Sequence, residues 1–456
     1  MAVWAIVKKS EAQKTARLDA EYYQPRYFTL LNQLRQSGLP LNRLSDLITE
    51  RVHRGTLPKY TENHEIPVIK TGVVRNDFLL FDSCAYTTGD FYAHNPRGVV
   101  KPLDILMTST GRGTLGRVNI FNENFKAYAD GHISIIRTSK VDPYYMYAFL
   151  VSKYGQFQAE MAYVGSTGQI EIYPDHIEAF TIPIPSAEHE KYIRRLAYEA
   201  HSLKRQSERL YLQAEQMLLA ELSLDKLDFS QPNHYSIPLS QAQGLRRVDA
   251  EHFQPKYGKL TQRLKKRGKT KQIGEFLAEP IQKGVTPQYE PDGDVIVINS
   301  QHLGRYSLNF EATDRTTYNF WRENKKAQIK YLDVMIYATG AYVGRTNCYL
   351  EKHNAFAGVD ILLVRPNYSC NPLYLAVYLN TISGIWQAEK FASGSGQRHI
   401  YPHDVAQFIA SLPSEGFQTK IADLVTQSYQ ARQKAKSLLE EAKKEVEGFI
   451  KKEGCN

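Results

Sequence analysis

Arg17-Leu-Asp-Ala-Glu-Tyr-Tyr-Gln-Pro-Arg-Tyr27 returns further along the chain as Arg247-Val-Asp-Ala-Glu-His-Phe-Gln-Pro-Lys-Tyr257, with seven of eleven positions identical. The two copies begin 247 − 17 = 230 residues apart. Gly168-Gln169 and Ile172-Tyr173-Pro174 reappear as Gly396-Gln397 and Ile400-Tyr401-Pro402, now 400 − 172 = 228 residues apart, so the repeat drifts by only 230 − 228 = 2. It also reaches back to Ser10-Glu-Ala-Gln13, which matches Ser240-Gln-Ala-Gln243. A unit of this length is one domain, and its repetition predicts an internal pseudo-two-fold axis. Two similar but non-identical halves suit a target that is itself bipartite and asymmetric.

Each half reads as a mixed α/β globule followed by a long helix. Strand-like runs such as Ile66–Ile69, Asp104–Met107 and His132–Ile136 lie between Gly, Asn and Asp turns, and Val295–Ile298, Asp333–Ile336 and Asp360–Val364 answer them in the second half. Asp142-Pro143 and Asn371-Pro372 place a capping side chain before a proline, the signature of a helix start. From Ile193, the residues Leu196, Ala200, Leu203, Ser207, Leu210, Ala214 and Met217 follow the 3-4 spacing of a coiled coil. Adding 228 gives Ile421, Leu424, Ser428, Ala431, Ala435, Leu438, Ala442 and Glu445, the last of which breaks the stripe and puts the final turns of the second helix in question. Small residues alternate with large ones along both stripes, which favours pairing of helix with helix over packing of each helix on its own globule. The expected division is a globule at residues 1–187, a long helix at 188–223, a polar linker at 224–233, a second globule at 234–414 and a second long helix at 415–452. Because the second globule starts close to the far end of the first helix, the second helix must run back. The predicted fold is therefore two pseudo-two-fold-related α/β globules separated by two antiparallel coiled-coil helices, a dumbbell with a helical spacer.

Bulk properties narrow the class. With 456 residues, 42% hydrophobic and 23% charged, the chain is long enough for two buried cores. Its formal charge of +9 and pI near 9.0 are compatible with a polyanionic partner. Cys84, Cys348, Cys370 and Cys455 form no C-x-x-C pair, which argues against a disulfide scaffold or structural zinc and for a reducing, cytoplasmic setting. The first residues are too short and polar-flanked for a signal peptide, and no apolar run approaches the roughly 20 residues that cross a bilayer, so no membrane role is expected.

Several motifs fail on inspection. Gly111-Arg-Gly-Thr-Leu-Gly116 is a literal G-x-G-x-x-G, yet a strand-like run, Arg117-Val-Asn-Ile-Phe121, follows it where a dinucleotide site needs a helix. Its repeat, Gly340-Ala-Tyr-Val-Gly344, is one residue shorter and lacks the middle glycine, as expected of a hairpin loop whose length differs between halves. Asp142-Pro-Tyr-Tyr145 and Asn371-Pro-Leu-Tyr374 approach the motif with which amino-methyltransferases hold an extruded base, but lack its second proline and read as helix caps. No phosphate loop, H-E-x-x-H, nucleophile elbow or nuclease carboxylate cluster is present, so no catalytic residue, no cofactor site and no metal site is expected.

Nucleic-acid recognition is better supported. Loops in both halves mix Arg or Lys with Gln or Asn and Tyr, the side chains that read guanine, adenine and phosphate. The candidate DNA contacts are Arg54, Lys59, Tyr60, Arg112, Thr114, Arg117, Thr167 and Gln169 in the first half, and Lys283, Gln288, Tyr289, Gln301, Arg305, Tyr342, Arg345, Gln397 and Arg398 in the second. Arg112 and Tyr342, at the hairpin tip, are expected to read sequence, and the shared Arg117 and Arg345 to hold backbone or structure.

Gly165-Ser-Thr-Gly-Gln169, then Ile172-Tyr-Pro, Ile182-Pro-Ile-Pro-Ser186 and a long helix, resembles the end of a target-recognition domain in the specificity subunit of a Type I restriction-modification enzyme. The second half repeats the order with Gly394-Ser-Gly-Gln397, Ile400-Tyr-Pro and Ser411-Leu-Pro-Ser414, and Leu103-Asp with Gly116-Arg117 is mirrored by Leu332-Asp with Gly344-Arg345. The resemblance implies a non-catalytic subunit whose two recognition domains each read half of a bipartite site in double-stranded DNA, with the helices as a ruler. It implies two modification subunits, which carry S-adenosylmethionine and methylate adenine, and restriction subunits that join for cleavage in antiviral defence. The rival readings are a stand-alone DNA-binding regulator and, among enzymes, a methyltransferase, which the missing cofactor motifs disfavour.

Overall fold

The computed structural model describes residues 6–15, 17–20, 22–82, 84–111, 113–165, 170–226, 232, 234–245, 247–310, 313–394 and 396–452. They form two compact units: residues 1–205 with 432–456, and residues 206–431. Arg112, Thr167, Gln169, Cys455 and most of the linker at 227–233 lie outside the described residues.

In the first unit a four-stranded antiparallel sheet runs in the order 53–54, 133–136, 105–108, 118–120. A second sheet of five strands, ordered 60–61, 85–87, 66–69, 127–129, 99–100, includes one parallel pair, 66–69 with 127–129. The second unit repeats both. Strands 277–283, 361–366, 334–337 and 346–348 form the antiparallel sheet, and 315–316, 295–298, 355–357 and 328–329 form a four-stranded counterpart with the same parallel pairing. Ile105–Thr108, Ile133–Ile136 and Val295–Ile298 are buried at every position, because these strands are covered on both faces; this is why they read as unbroken apolar runs rather than alternating ones. A helical hairpin closes each core, Pro143–Val151 with Lys153–Met161 and Pro372–Asn380 with Ile382–Phe391. The first helix of each is apolar all round and buried on all sides. As the spacing predicted, Asp142 caps Tyr144 N at 2.9 Å and Asn371 caps Leu373 N at 2.9 Å.

A buried ion pair ties each antiparallel sheet to the turn before its third strand. Arg137 Nε and Nη2 donate to the Asp104 carboxylate at 2.7 and 2.8 Å, and Arg365 makes the same fork with Asp333 at 2.6 and 2.7 Å. The preceding residues, Leu103 and Leu332, both adopt a left-handed conformation with φ of 69°. Such a backbone is unfavourable for a branched side chain and persists where surrounding contacts over-determine it. Here each following aspartate also accepts a backbone bond, from Lys101 N and from Lys330 N, both at 2.8 Å. The repeated Leu-Asp motif is thus structural.

The long helices span Ala187–Glu221 and Glu415–Lys452. Within the first unit Tyr192 Oη donates to Glu441 at 2.8 Å, and His189 stacks on Phe449 at 5.4 Å. Within the second, Ser428 Oγ donates to Ser207 O at 2.7 Å. A low residue number on one helix meets a high number on the other, so the pair is antiparallel. The buried stripe keeps Ile193, Leu196, Ala200, Ser207 and Ala214 of the predicted seam, and Ile421, Ser428, Ala435, Leu438 and Ala442 of its repeat, but turns away from the rest. It runs through Ile193, Ala197, Ala200, Lys204, Ser207, Tyr211, Ala214 and Leu218, and the positions 228 residues on are buried likewise, from Ile421 through Val425, Ser428, Arg432, Ala435, Leu439 and Ala442 to Val446. Leu203, Leu210 and Met217 are only half-buried, because each helix packs on a globule as well as on its partner helix and the buried face turns toward both. The same turn corrects the doubt about Glu445. After Ala442 the stripe steps to Val446, Phe449 and Ile450, all buried, and the helix continues.

Candidate nucleic-acid interface

The glycine-rich segments are hairpin loops joining strands 105–108 to 118–120 and 334–337 to 346–348. Gly116 and Gly344 close them at φ of 78° and 92°, with Gly116 N donating to Thr108 O at 3.0 Å and Gly344 N to Tyr337 O at 2.9 Å. A strand follows in both, so neither can set a pyrophosphate on a helix N-terminus.

Each hairpin touches the segment that carries the Ile-Tyr-Pro repeat. Gly111 N donates to Ile170 O at 3.4 Å and Gly340 N to Arg398 O at 2.9 Å. Thr110 bridges Glu171, which also bridges Val164; Thr339 bridges His399, which also bridges Ser393. Glu171 and His399 are therefore equivalent. Ile172 and Ile400 are buried, whereas Tyr173 and Tyr401 are 49% and 39% exposed. A cation faces each ring: the Arg54 guanidinium lies 5.4 Å from the Tyr173 centroid, and the Lys283 ammonium 5.6 Å from that of Tyr401. Arg54 pairs with Ser134 and Lys283 with Leu362 on the neighbouring strand, at matching points of the two sheets. The next residues, Gly55 and Gly284, pass so close to the adjoining chain that an added Cβ would lie 2.0 Å from Ala129 O and 2.1 Å from Gly358 O.

The structure thus brings Arg54 and Thr114 to one rim with Tyr173, and Lys283, Gln397 and Arg398 to one rim with Tyr401. Thr114 is taken up within its own turn, its Oγ1 3.3 Å from the carbonyls of Thr110 and Gly111. Tyr342 is 43% exposed and stacks under the Arg345 guanidinium at 4.1 Å, while Arg345 Nη1 reaches Leu303 O at 3.4 Å. Arg117 is half-buried, and its backbone N donates to Thr108 Oγ1 at 2.9 Å. Lys59 and Tyr60 lie at the edge of the five-stranded sheet, with Lys70 4.8 Å over the Tyr60 ring. Gln288 and Tyr289 are their exposed counterparts: Lys59 O and Gln288 O accept from Thr87 and Thr316 Oγ1 at 2.8 and 2.7 Å. Gln301 is exposed beside His302. Arg305 is directed to the first long helix, where it donates to Glu215 at 2.9 Å.

Tyr173, Tyr401, Glu171 and His399 escaped the list of candidates, although Ile-Tyr-Pro was among the repeated motifs. The available signal was a tyrosine kept at the same place in both halves beside a buried isoleucine. The most conspicuous repeat, Arg-x-Asp, is a clamp behind the rim. Arg17 forks onto Asp19 and donates to Met161 O and Tyr163 O at 2.9 and 2.6 Å; Arg247 forks onto Asp249 and donates to Phe391 O and Ala392 O at 3.3 and 3.1 Å. Each guanidinium thereby holds the last carbonyls of a helix, where a cation is favourable, and its hydrogen bonds keep the Asp19 and Asp249 carboxyls below the usual carboxylate range. Tyr163 Oη in turn donates to Leu115 O of the hairpin at 3.2 Å.

Among the described residues there is no group of His, Cys, Asp and Glu that could hold a metal ion, and no helix long and apolar enough to cross a membrane.

Residues 42–196 match the family model of the Type I restriction modification DNA specificity domain. The match spans 196 − 42 + 1 = 155 of the 456 residues, so this segment of the chain is similar to that domain. No curated protein sequence matches the chain. Among solved structures, the S subunit of a Type I restriction-modification system from M. genitalium is 12% identical with a TM-score of 0.43, over 91% of this chain and 96% of that one. The HsdS subunit from Thermoanaerobacter tengcongensis is 15% identical with a TM-score of 0.30, over 91% and 97%. A chain from a type I R-M system described for its complex assembly and conformational transition is 14% identical with a TM-score of 0.29, over 91% and 98%.

Proposed function

We propose that this chain is a non-catalytic specificity subunit that reads a bipartite, asymmetric DNA site, one part with each half, and recruits modification and restriction subunits that perform the chemistry. The observation that carries the reading is the duplicated rim: a glycine hairpin locked to an exposed Ile-Tyr-Pro tyrosine with a cation over its ring, present in both halves of a chain whose first half matches a DNA specificity domain. Arg or Lys beside an aromatic face serves contact with bases and phosphates. S-adenosylmethionine belongs, on this reading, to the partner subunits. Because the chain repeats, it offers two related docking surfaces, for two modification subunits in the cytoplasm. The helices fix the gap between the parts of the site.

Insertion of four residues, about 6 Å of helix, into the segment 187–221 tests the reading. Methylation mapped by sequencing in a host that expresses the complete system should show the gap lengthened by about one to two base pairs, with the outer sequences unchanged. An unchanged gap would refute the ruler, and loss of all sequence preference in the unaltered system would refute DNA reading itself. Native mass spectrometry should find two modification subunits per chain; saturation at one would show that the repeat has lost its symmetry at the partner surface.

A further inference from the structure

The two rims share a tyrosine and a cation, but not the group that answers the cation's charge. In the first half Arg54 Nη1 donates to Glu171 at 3.1 Å and Nη2 to Ile172 O at 2.8 Å, so the guanidinium is neutralised and both terminal nitrogens are engaged. In the second half the residue at the place of Glu171 is His399, whose Nδ1 is taken by Thr339 Oγ1 at 3.1 Å. Among the described residues no carboxylate forms an ion pair with Lys283, whose ammonium lies 5.6 Å from the centroid of the exposed Tyr401 ring. A lysine ammonium is a compact charge with three donors, and this one stands over a ring that solvent reaches.

We propose that Lys283, set over Tyr401, takes a backbone phosphate of the DNA, whereas Arg54 is closed by Glu171 and takes none, so that only the second half draws counterion-release binding from this point. The proposal rests on the DNA-reading function above and adds an asymmetry to it. A phosphate brought to Arg54 would have to displace Glu171 and would meet its negative charge. At Lys283 it would meet an unanswered cation set over a neutral ring. Each phosphate contact of this kind contributes about −0.9 to the slope of log affinity against log salt.

The test uses the full chain assembled with its modification subunits and duplexes selected from a randomised library, each also prepared with one half of the site scrambled. On the duplex that retains only the second part, Lys283→Gln should make the slope shallower by about 0.9. A fourfold rise in salt would then cost roughly 3.5-fold less affinity than in the parent protein. Lys283→Arg should restore the slope. On the duplex that retains only the first part, Lys283→Gln should change nothing, while Glu171→Gln, which frees Arg54 without altering shape, should steepen the slope by about the same amount. Unchanged slopes for both variants on duplexes that are still read would overturn the assignment and leave DNA reading intact. A parent complex indifferent to scrambling of either part would overturn both.

Discussion

In the first half Asp104 and Arg137 form a buried fork beneath the sheet; in the second Asp333 and Arg365 form the same fork at the same place, down to the left-handed leucine before each aspartate. A short way off, at the rims, the halves part: Glu171 against His399, Arg54 against Lys283, and a hairpin one residue longer in the first half than in the second. The interior has retained its charges because each is answered by a partner that cannot change alone. The rim faces solvent, and its residues are free to differ. What is common to the halves therefore builds the platform, and what differs sets the two rims apart in charge and shape.

The comparison is broken most severely at the forks. Asp104→Ala removes the buried carboxylate and leaves Arg137, 15% exposed, with Glu50 alone, and Asp333→Ala leaves Arg365, 11% exposed, with Glu279 alone. Because one carboxylate remains, each should destabilise its unit by about 3 kcal/mol, the lower end of the range for a broken buried pair, in urea unfolding. Similar losses in the two units would confirm a shared platform, and a loss below about 1 kcal/mol in either would remove that fork from it.

Acid should distinguish the units next. His201 is buried between Phe78, Tyr144 and Tyr147, and desolvation pushes its pKa down to about 3. A folded-state pKa below the unfolded value of roughly 6.5 means that the unfolded chain binds the proton. The stability this contributes is complete above that value and is lost as the pH falls toward 3. The second helix carries Tyr429 at the equivalent position. His201→Gln should flatten the decline of first-unit stability across this window, and a decline as steep as before would place the acid sensitivity elsewhere.

Smaller effects sharpen the picture. Arg17→Ala and Arg247→Ala each remove charged hydrogen bonds to helix-end carbonyls, and should cost about 1.5–3 kcal/mol apiece while altering the reading of one part of the site only. Equal loss of reading at both parts would contradict a clamp local to each rim. Ser207→Ala, which removes one hydroxyl from the helix pair, should cost about 0.5–1.5 kcal/mol. A neutral result would show that the close approach of the helices at Ser428 does not depend on it.

Much of this was legible in the chain itself. The repeat, the capped helix starts, the buried strands and the long helices follow from local pattern: a proline after a capping side chain, apolar runs, the 3-4 spacing. The full course of the helix stripe was not, because Lys204 and Tyr211 are buried by tertiary partners, Glu123 for the lysine and Asn380 for the tyrosine, that spacing does not reveal. Nor could the basic candidates alone separate Arg305, spent on Glu215, from Lys283, which has no such partner among the described residues. That distinction depends on a carboxylate distant in sequence, as with Arg54 and Glu171, 117 residues apart.

One pair of contacts gives the two halves opposite polarity toward the long helices. In the first unit Asp77 faces Lys436 of the second helix at 3.6 Å; in the second, Arg305 faces Glu215 of the first helix at 2.9 Å. The signs are opposite. The residue of the first helix that corresponds to Lys436 is Glu208, at 436 − 228 = 208, and the residue of the second helix that corresponds to Glu215 is Lys443, at 215 + 228 = 443. If two copies of the first half were to associate as the two halves do now, Asp77 would meet a glutamate; two copies of the second half would set Arg305 against a lysine. At these two points each half is complementary to the other and would meet its own sign of charge in a second copy of itself.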